Sequence, residues 1–170
     1  MRKPCTVTAL LLALSLPGAT QAAPDVPKRK SGLWEITTAM QGMPQGMTMQ
    51  QCVDEKTDDM IRQQGSGREQ QPKCAKQDIK RDGDRTIVDS VCDMGGTTAT
   101  TRAVFSGRFD SNYRADIKSA YNPPMHGMKE SQVSIQAKWL GACKAGQKPG
   151  DIVMPNGMMV NPGTMPKNAR

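Results

Sequence analysis

Residues 113–121 read YRADIKSAY and residues 133–139 read VSIQAKW, and these two stretches decide the fold. In the first stretch, small, apolar or aromatic side chains hold the odd positions, while Arg114, Asp116 and Lys118 hold three of the even ones. The second stretch repeats the alternation, with Val, Ile, Ala and Trp separated by polar residues. A period of two is typical of a β-strand that has one dry face and one wet face.

Similar β-rich runs, separated by turn residues, continue on both sides of these stretches. Together with 113–121, the predicted strands are residues 32–40, 47–53, 73–80, 85–92, 97–107 and 130–140. The dipeptide Asp82-Gly83 signals a tight hairpin turn. Residues 54–64 form the one helical candidate, which Asp54 or Thr57 can cap. The prediction is an all-β fold with one short helix: a curled antiparallel meander of about seven strands, half-barrel-like and stabilised by disulfides.

Residues 1–22 have the three parts of a secretory signal peptide. Arg2 and Lys3 make a positive start, residues 7–16 form a short apolar run, and small residues lead to Ala22, where we predict cleavage. The apolar run is shorter than the roughly 20 residues that span a bilayer, so an uncleaved anchor is the weaker alternative. We therefore predict an exported protein, periplasmic or secreted and not membrane-spanning.

The cysteines that remain after loss of the leader are Cys52, Cys74, Cys92 and Cys143. An even number in an oxidising compartment predicts two disulfide bonds, and the chain has no close C-x-x-C pair that would favour zinc. Four cysteines allow three connectivities, and the sequence alone does not choose between them. The favoured pairing is Cys52–Cys74 with Cys92–Cys143, since the first bond would clip the predicted helix to the sheet. The second would tie the end of the last strand to the middle of the meander.

The two ends of the mature chain lack the periodicity of the β-domain, which is assigned to residues 31–143. Residues 23–30 are rich in Pro, Lys and Arg and are predicted to be a mobile leader. Residues 144–170 are rich in Gly, Pro, Asn and Met and are predicted to be a disordered tail. With two Trp, two Tyr and two Phe in the whole chain, the core is thin, which makes the disulfides more necessary.

The order of these features resembles a known family. The domain opens with GLWEITT at residues 32–38, continues through a Gly/Met/Pro loop to a strand that ends at Cys52, and closes with LGAC at residues 140–143. On these motifs, residues 31–143 resemble the bacterial domain-of-unknown-function family 3617, small exported proteins of Gram-negative bacteria. The resemblance implies a periplasmic or envelope location and a curled antiparallel β fold. It implies no catalytic residues.

Residues that could carry catalysis are scarce. His126 is the sole histidine and lies in a Pro-rich loop, where a solvated residue is the simpler interpretation. Asp116 shares the wet face with Arg114 and Lys118, whereas a carboxylate pair for acid–base catalysis needs one member in a dry pocket. Cysteines that are paired in disulfides cannot act as nucleophiles. We therefore expect no enzyme activity and no catalytic residue.

Methionine is abundant, with thirteen in the chain, and most of these residues cluster outside the predicted strands. Thioethers are soft ligands that suit Cu(I) and need no deprotonation. The candidate copper ligands form two clusters, Met43 with Met47 and Met49, and Met125 with His126 and Met128. The alternative is that methionine fills irregular gaps or scavenges oxidants, because loops so rich in Gly and Pro are not preorganised for a metal. No cofactor is expected unless Cu(I) binds there.

The net charge of +7 comes from Lys and Arg spread along the chain, with Lys28-Arg29-Lys30 as the one run. A basic face with stacking aromatics is typical of nucleic-acid-binding proteins. Because the basic residues here are spread along the chain, we predict no nucleic-acid partner. Weak attraction to anionic envelope components is one interpretation of this charge, and a solvated basic surface is the other.

A curled sheet with one apolar face can hold a small apolar ligand. The candidate lining residues are Trp34, Phe105, Tyr121, Ile135 and Trp139, and the alternative is that they simply form the core. The sequence thus predicts a non-enzymatic periplasmic protein that binds a ligand or associates with the envelope. Cu(I) binding through Met-rich loops and an apolar ligand on the concave face are the alternative functions.

Overall fold

The computed structural model describes residues 26–56, residue 58 and residues 73–164. The predicted signal peptide, most of the predicted helix and the last six residues of the predicted tail lie outside this part of the chain. The described residues contain no helix and nine strands: β1 Gly32–Met40, β2 Met43–Val53, β3 Lys73–Asp82, β4 Arg85–Asp93, β5 Thr98–Arg108, β6 Asn112–Met125, β7 Met128–Gly141, β8 Ile152–Val153 and β9 Met159–Val160.

All nine strands belong to one antiparallel sheet, in the order β3-β4-β5-β6-β7-β1-β2-β8-β9. Strands β3 to β7 follow one another as a meander, and the β1–β2 hairpin adds to the free side of β7. Among the described strands, β3 and β9 lie at opposite ends of this order and do not pair, so the sheet is not closed. The predicted all-β antiparallel meander is confirmed, with two more strands than expected.

The alternation that predicted the two clearest strands is also confirmed. Ala115 of β6 is fully buried and lies between Phe105 of β5 and Ile135 of β7, whereas its neighbour Arg114 is exposed. Because side chains directly opposite one another in a sheet share a face, the register extends this dry face across all of the central strands. The turn between β3 and β4 has Gly83 at its first position with φ +62°, as a type II′ hairpin requires.

Two neighbouring clusters on the dry face make the core. One contains Trp34, Ile36, Val53, Tyr113 and Ala137, and the other contains Val26, Val88, Ala103, Phe105 and Ala115. Ile135 and Phe109 pack against both clusters, so the core is continuous. The ring centroids of Trp34 and Tyr113 are 5.6 Å apart, and those of Phe109 and Tyr113 are 5.2 Å apart.

The glycines at the two ends of the domain have different explanations: the close approach of β1 to β7 requires Gly32, and a positive φ favours glycine at position 141. Gly32 has φ +135°, and a Cβ placed on it would lie 2.2 Å from the Gly141 carbonyl oxygen and 2.5 Å from Trp139 Nε1. Gly141 has φ +132°, which is also unfavourable for other residues. The GLWEITT and LGAC motifs therefore meet in space, where β1 and β7 shift register between Leu33 and Trp34.

The four predicted cysteines form two disulfides, but the favoured pairing is wrong. The bonds join Cys52 to Cys143 and Cys74 to Cys92. The short turn between β3 and β4 places Cys74 directly opposite Cys92. Leu33 of β1 pairs with Cys52 on one side and with Gly141 on the other, which brings Cys52 and Cys143 together around the start of β1.

The structure corrects the predicted mobile leader for the residues it describes. Val26 is buried in the core, and the side chain of Arg29 is 1% exposed. The backbone N–H of Lys30 donates to the Phe109 carbonyl over 2.7 Å, and Trp34 Nε1 donates to the Lys30 carbonyl over 2.8 Å. Residues 26–30 therefore lie against the dry face, because they cover apolar surface that a single sheet leaves open.

The predicted disordered tail is likewise corrected for residues 144–164. Strand β8 pairs with β2 through Gln50 and Gln51 and forms a short hairpin with β9. The Cys52 N–H donates to the carbonyl of Asp151, which is buried. The edge of β2 offers backbone groups that any sequence can pair with, and the Cys52–Cys143 bond holds the tail beside that edge.

No helix in the described part of the chain is long and apolar enough to cross a membrane. Of the predicted helix at 54–64, the described residues form a turn, in which the Asp58 N–H donates to the Asp54 carbonyl over 2.9 Å. The Asp54 carboxylate also accepts from the Lys56 N–H over 3.0 Å, as a capping residue does.

Candidate ligand-binding face

The dry face changes in exposure along its length. Towards the β5–β6 turn, Trp34, Tyr113 and Ala115 are 0%, 7% and 0% exposed. Towards the β6–β7 turn, the same rows of side chains become half-buried and then exposed. We call the second region the open half of the dry face, and it comprises Thr38, Met40, Met47, Thr101, Ile117, Ser119, Tyr121, Ser131 and Val133.

Apolar side chains from three adjacent strands meet in the open half. Ile117 lies directly opposite Val133, and Met40 of β1 lies directly opposite Val133 on its other side. Ile117 and Val133 are half-buried and Met40 is 46% exposed. Met47 of β2 lies in the neighbouring row, opposite Thr38, which in turn lies opposite Ile135. This patch is apolar, accessible and continuous with the core.

Two pairs of hydroxyl groups border the apolar patch. The Tyr121 hydroxyl lies 2.9 Å from Ser131 Oγ, and Thr101 Oγ1 lies 2.9 Å from Ser119 Oγ. Within each pair, one hydroxyl donates to the other, which leaves the second O–H and several lone pairs for another partner. The open half thus offers mostly apolar contact and a few polar groups, as small-molecule sites commonly do.

The rest of the dry face, which contains Trp34, Tyr113 and Ala115, is its closed half. A buried ion pair holds residues 26–30 against this closed half. Arg29 Nε donates to Asp58 Oδ1 over 2.7 Å, the Arg29 backbone N–H donates to Asp58 Oδ2, and Arg29 Nη1 donates to Gln51 Oε1 over 3.2 Å. The two charged side chains are 1% and 0% exposed. Burial raises the pKa of the adjacent Tyr113 phenol, and the Arg29 charge opposes that rise. Each charge has its counter-charge, so the arrangement is suited to holding the chain together.

Residues 29–143 match the family of proteins of unknown function designated DUF3617. The chain is a DUF3617 protein. The match begins at the buried Arg29 and ends at Cys143 of the longer disulfide, so strands β8 and β9 lie beyond it. No curated protein and no solved structure matches the chain.

The five predicted lining residues of this DUF3617 protein separate into two groups. Trp34 and Phe105 are buried in the core, and Ile135 packs against both core clusters. Trp139 lies under Lys30 Nζ, 3.8 Å from the ring centroid, and its Nε1 donates to the Ser31 carbonyl over 3.2 Å. Tyr121 alone lies in the open half.

Sequence reasoning missed most of the open half because it favoured large aromatic side chains. Ile117 and Val133 stand in the two alternating stretches, and the continuing alternation was the signal that could have found them. Their exposure depends on what covers each end of the sheet, which periodicity does not report.

The two clusters of candidate methionine ligands lie near different hairpin turns, one in β2 after the β1–β2 turn and the other at the β6–β7 turn. Met125 lies directly opposite Met128 across the β6–β7 turn, and His126 between them is exposed, with φ +50°. In the other cluster, Met43 begins β2, Met47 lies in the open half and Met49 packs against the core. Within the described residues, no group of three or more His, Cys, Asp or Glu could hold a metal ion.

The wet face carries ionised carboxylates that are paired with basic residues. Arg114 donates two hydrogen bonds of 2.7 Å to Asp116, and they lower the pKa of that carboxyl. Arg102 also forms an ion pair with Asp89, over 3.1 Å. A groove of about 820 Å³ crosses this face over β6, β7 and β1, where Glu35 lies opposite Lys138. Basic neighbours of this kind keep a carboxyl group ionised, whereas a general acid must hold a proton.

Proposed function

We propose that this DUF3617 protein is a non-enzymatic periplasmic binding protein whose open half holds a small, largely apolar molecule with one or two polar groups. The observation that carries the proposal is the exposure gradient along the dry face. Side chains of one apolar row are fully buried in its closed half and accessible in its open half. Binding there removes further apolar surface from water, which contributes roughly 25 cal/mol per Å².

The surroundings of the open half support a preformed site. Its floor is one sheet whose neighbouring strands are paired over most of their length, so the apolar residues keep their spacing without a ligand. The Tyr121–Ser131 and Thr101–Ser119 pairs supply hydroxyls at its border. A ligand that is apolar over most of its surface and carries a hydroxyl or carbonyl group complements this pattern.

The proposal also includes a periplasmic location for the mature protein and no enzyme activity. The two disulfides are compatible with an oxidising, extracytoplasmic compartment, in which the predicted signal peptide would place the mature chain. Paired carboxylates on the wet face and one exposed histidine supply no acid–base pair in a dry pocket. Association with anionic envelope components stays a prediction.

Weakening the apolar patch should weaken binding. We expect N-phenyl-1-naphthylamine, a fluorescent apolar probe, to bind the wild-type mature protein saturably. The double variant Ile117→Thr/Val133→Thr should bind it about tenfold more weakly, because two apolar groups are replaced by hydroxyls. The control Ser134→Thr changes the opposite face of β7 and should bind like the wild type. Probe titrations, with circular dichroism to monitor the fold, measure all three; equal affinities or no saturable binding would contradict the proposal.

Cu(I) binding at the β6–β7 turn is a second candidate, favoured by the register that sets Met125 opposite Met128. Directly opposed residues have Cβ atoms about 4.5–5.5 Å apart, so two thioethers and the intervening His126 imidazole could reach one soft ion. We expect the variant Met125→Leu/Met128→Leu, which removes both thioethers, to lose at least tenfold in Cu(I) affinity, a cost of more than about 1.4 kcal/mol.

The matched control for copper is Met158→Leu/Met159→Leu, which removes two exposed methionines in the β8–β9 hairpin. Competition with a Cu(I) chelator in ascorbate, which spares disulfides, measures affinity, and methionine methyl NMR signals locate the ion. Equal losses in both variants, or unshifted Met125 and Met128 methyl signals, would exclude the turn as the site.

A further inference from the structure

Strand β3 forms one end of the described sheet and pairs only with β4 among the described strands. Most of its residues are exposed, although an unpaired strand edge is a template for another strand. We propose that β3 pairs antiparallel with β3 of a second copy of this chain, about a two-fold axis at Ile79. This inference is independent of the ligand proposed for the dry face.

The hairpin turn determines which backbone groups of β3 face outwards. Asp82 and Arg85 flank the two-residue turn, and in such hairpins the flanking pair exchanges both backbone hydrogen bonds. Alternate residues back along β3 therefore also bond to β4. The N–H and C=O groups that point away from β4 belong to Gln77, Ile79 and Arg81.

An axis at Ile79 sets these outward groups against each other. Ile79 then faces Ile79 of the second copy, and Gln77 faces the second copy's Arg81, so each outward pair can exchange two backbone hydrogen bonds. Ile79 is half-buried and packs against the core, which places an apolar pair at the centre of the contact.

The charges of the wet face select this register. Lys76, Asp78, Lys80 and Asp82 share one row of β3, since the irregularity in pairing with β4 lies before Lys76. With the axis at Ile79, Asp78 opposes the second copy's Lys80, and Lys76 opposes the second copy's Asp82. Every charge in the row thus meets its opposite, and each contact occurs twice by symmetry.

Neighbouring registers that move the axis by one residue bring like charges into opposition. Moving the axis to Asp78 sets Asp78 against itself and Lys76 against Lys80. Moving it to Lys80 sets Lys80 against itself and Asp78 against Asp82. Like charges directly opposite are destabilising, so the edge excludes these two registers.

Pairing in this register has a geometric consequence for the dry face. Antiparallel neighbours keep their side chains on common faces, so both dry faces lie on the same side of one continuous sheet. The contact is small and its charges are exposed, with Lys80 and Asp78 already 2.8 Å apart within one chain. We therefore expect a weak, salt-sensitive dimer.

Charge exchange between two variants tests the register. Wild-type mature protein should dimerise between about 10 μM and about 1 mM in analytical ultracentrifugation at low salt. Asp78→Lys and Lys80→Asp should each associate at least about tenfold more weakly, because each opposes like charges twice. In a mixed dimer of the two variants, the lysines at positions 78 and 80 of Asp78→Lys oppose the aspartates at positions 80 and 78 of Lys80→Asp, so both contacts join opposite charges. The mixture should therefore recover association close to that of the wild type, and so should the double variant Asp78→Lys/Lys80→Asp, which restores opposite charges at both contacts of its own dimer. A monomeric wild type at about 1 mM, or a mixture or double variant that associates as weakly as the single variants alone, would overturn the proposal.

Cross-linking provides a second measurement that does not depend on charge. Directly opposed residues in a hydrogen-bonded pair have Cα atoms about 5.5 Å apart, within the range of a disulfide. Ile79→Cys should therefore form covalent dimers on mild oxidation, with the two introduced thiols linked to each other in peptide mass spectrometry. Gln77→Cys is the control, since it opposes Arg81. Equal cross-linking in both variants would show random collision and contradict the register.

Discussion

Replacing Asp58 with asparagine should lower the free energy of unfolding by about 3–5 kcal/mol. The variant leaves the guanidinium of Arg29 in a site where its side chain is 1% exposed, without the carboxylate that contacts it over 2.7 Å. A buried charge that loses its counter-ion is costly because water does not solvate it there. Urea denaturation of the mature protein, followed by tryptophan fluorescence, measures the change.

A matched exposed pair separates burial from charge. Asp116→Asn breaks a contact with Arg114 of the same length, but those side chains are 50% and 47% exposed, and the expected loss is below about 1 kcal/mol. The double variant Arg29→Met/Asp58→Leu should recover most of the stability that Asp58→Asn loses, since it removes both charges together. Comparable losses for Asp58→Asn and Asp116→Asn would contradict a buried pair.

Removing the Cys52–Cys143 bond should cost more stability than removing the Cys74–Cys92 bond. The cysteines are separated by 91 residues in the first case and 18 in the second. In the chain-entropy model, these loops correspond to about 4.6 and about 3.2 kcal/mol, because the longer link restricts the unfolded chain more. The variants Cys52→Ala/Cys143→Ala and Cys74→Ala/Cys92→Ala test the difference by urea denaturation.

The structure adds a local consequence to the loss of the longer bond. Cys52–Cys143 holds residues 144–164 beside β2, where the Gly150 N–H donates to the Cys52 carbonyl over 2.8 Å. We expect amide exchange in β8 to accelerate in Cys52→Ala/Cys143→Ala and to remain close to the wild-type rate in Cys74→Ala/Cys92→Ala. Equal destabilisation with unchanged exchange in β8 would show that the longer bond does not anchor the tail.

The buried ion pair also explains why the leader belongs to the domain. Arg29 stands in a basic run that resembles a solvated segment, and its partner Asp58 is 29 residues away. No periodic signal links two such positions. Their contact arises because residues 26–30 return across the dry face, where Lys30 also bonds to Phe109.

Local patterns alone determined the strand class, the two faces and the tight turn of this protein. The alternation in 113–121 and 133–139 specifies which side chains share a face, because successive side chains in a strand point in opposite directions. Asp82-Gly83 specified a hairpin, because glycine readily adopts the positive φ that the turn needs. The even number of cysteines after the predicted leader also indicated two disulfides.

Only the tertiary structure decided the pairing of Cys52 with Cys143, the order at both ends of the domain and the extent of the open half. Each depends on the insertion of β1 between β7 and β2, which brings Cys143 to Cys52 and lets residues 26–30 cover part of the dry face. These contacts join positions far apart in the chain, and their free energy depends on surfaces that meet only after folding. A local sequence period records which face a side chain takes, but it does not record what covers that face.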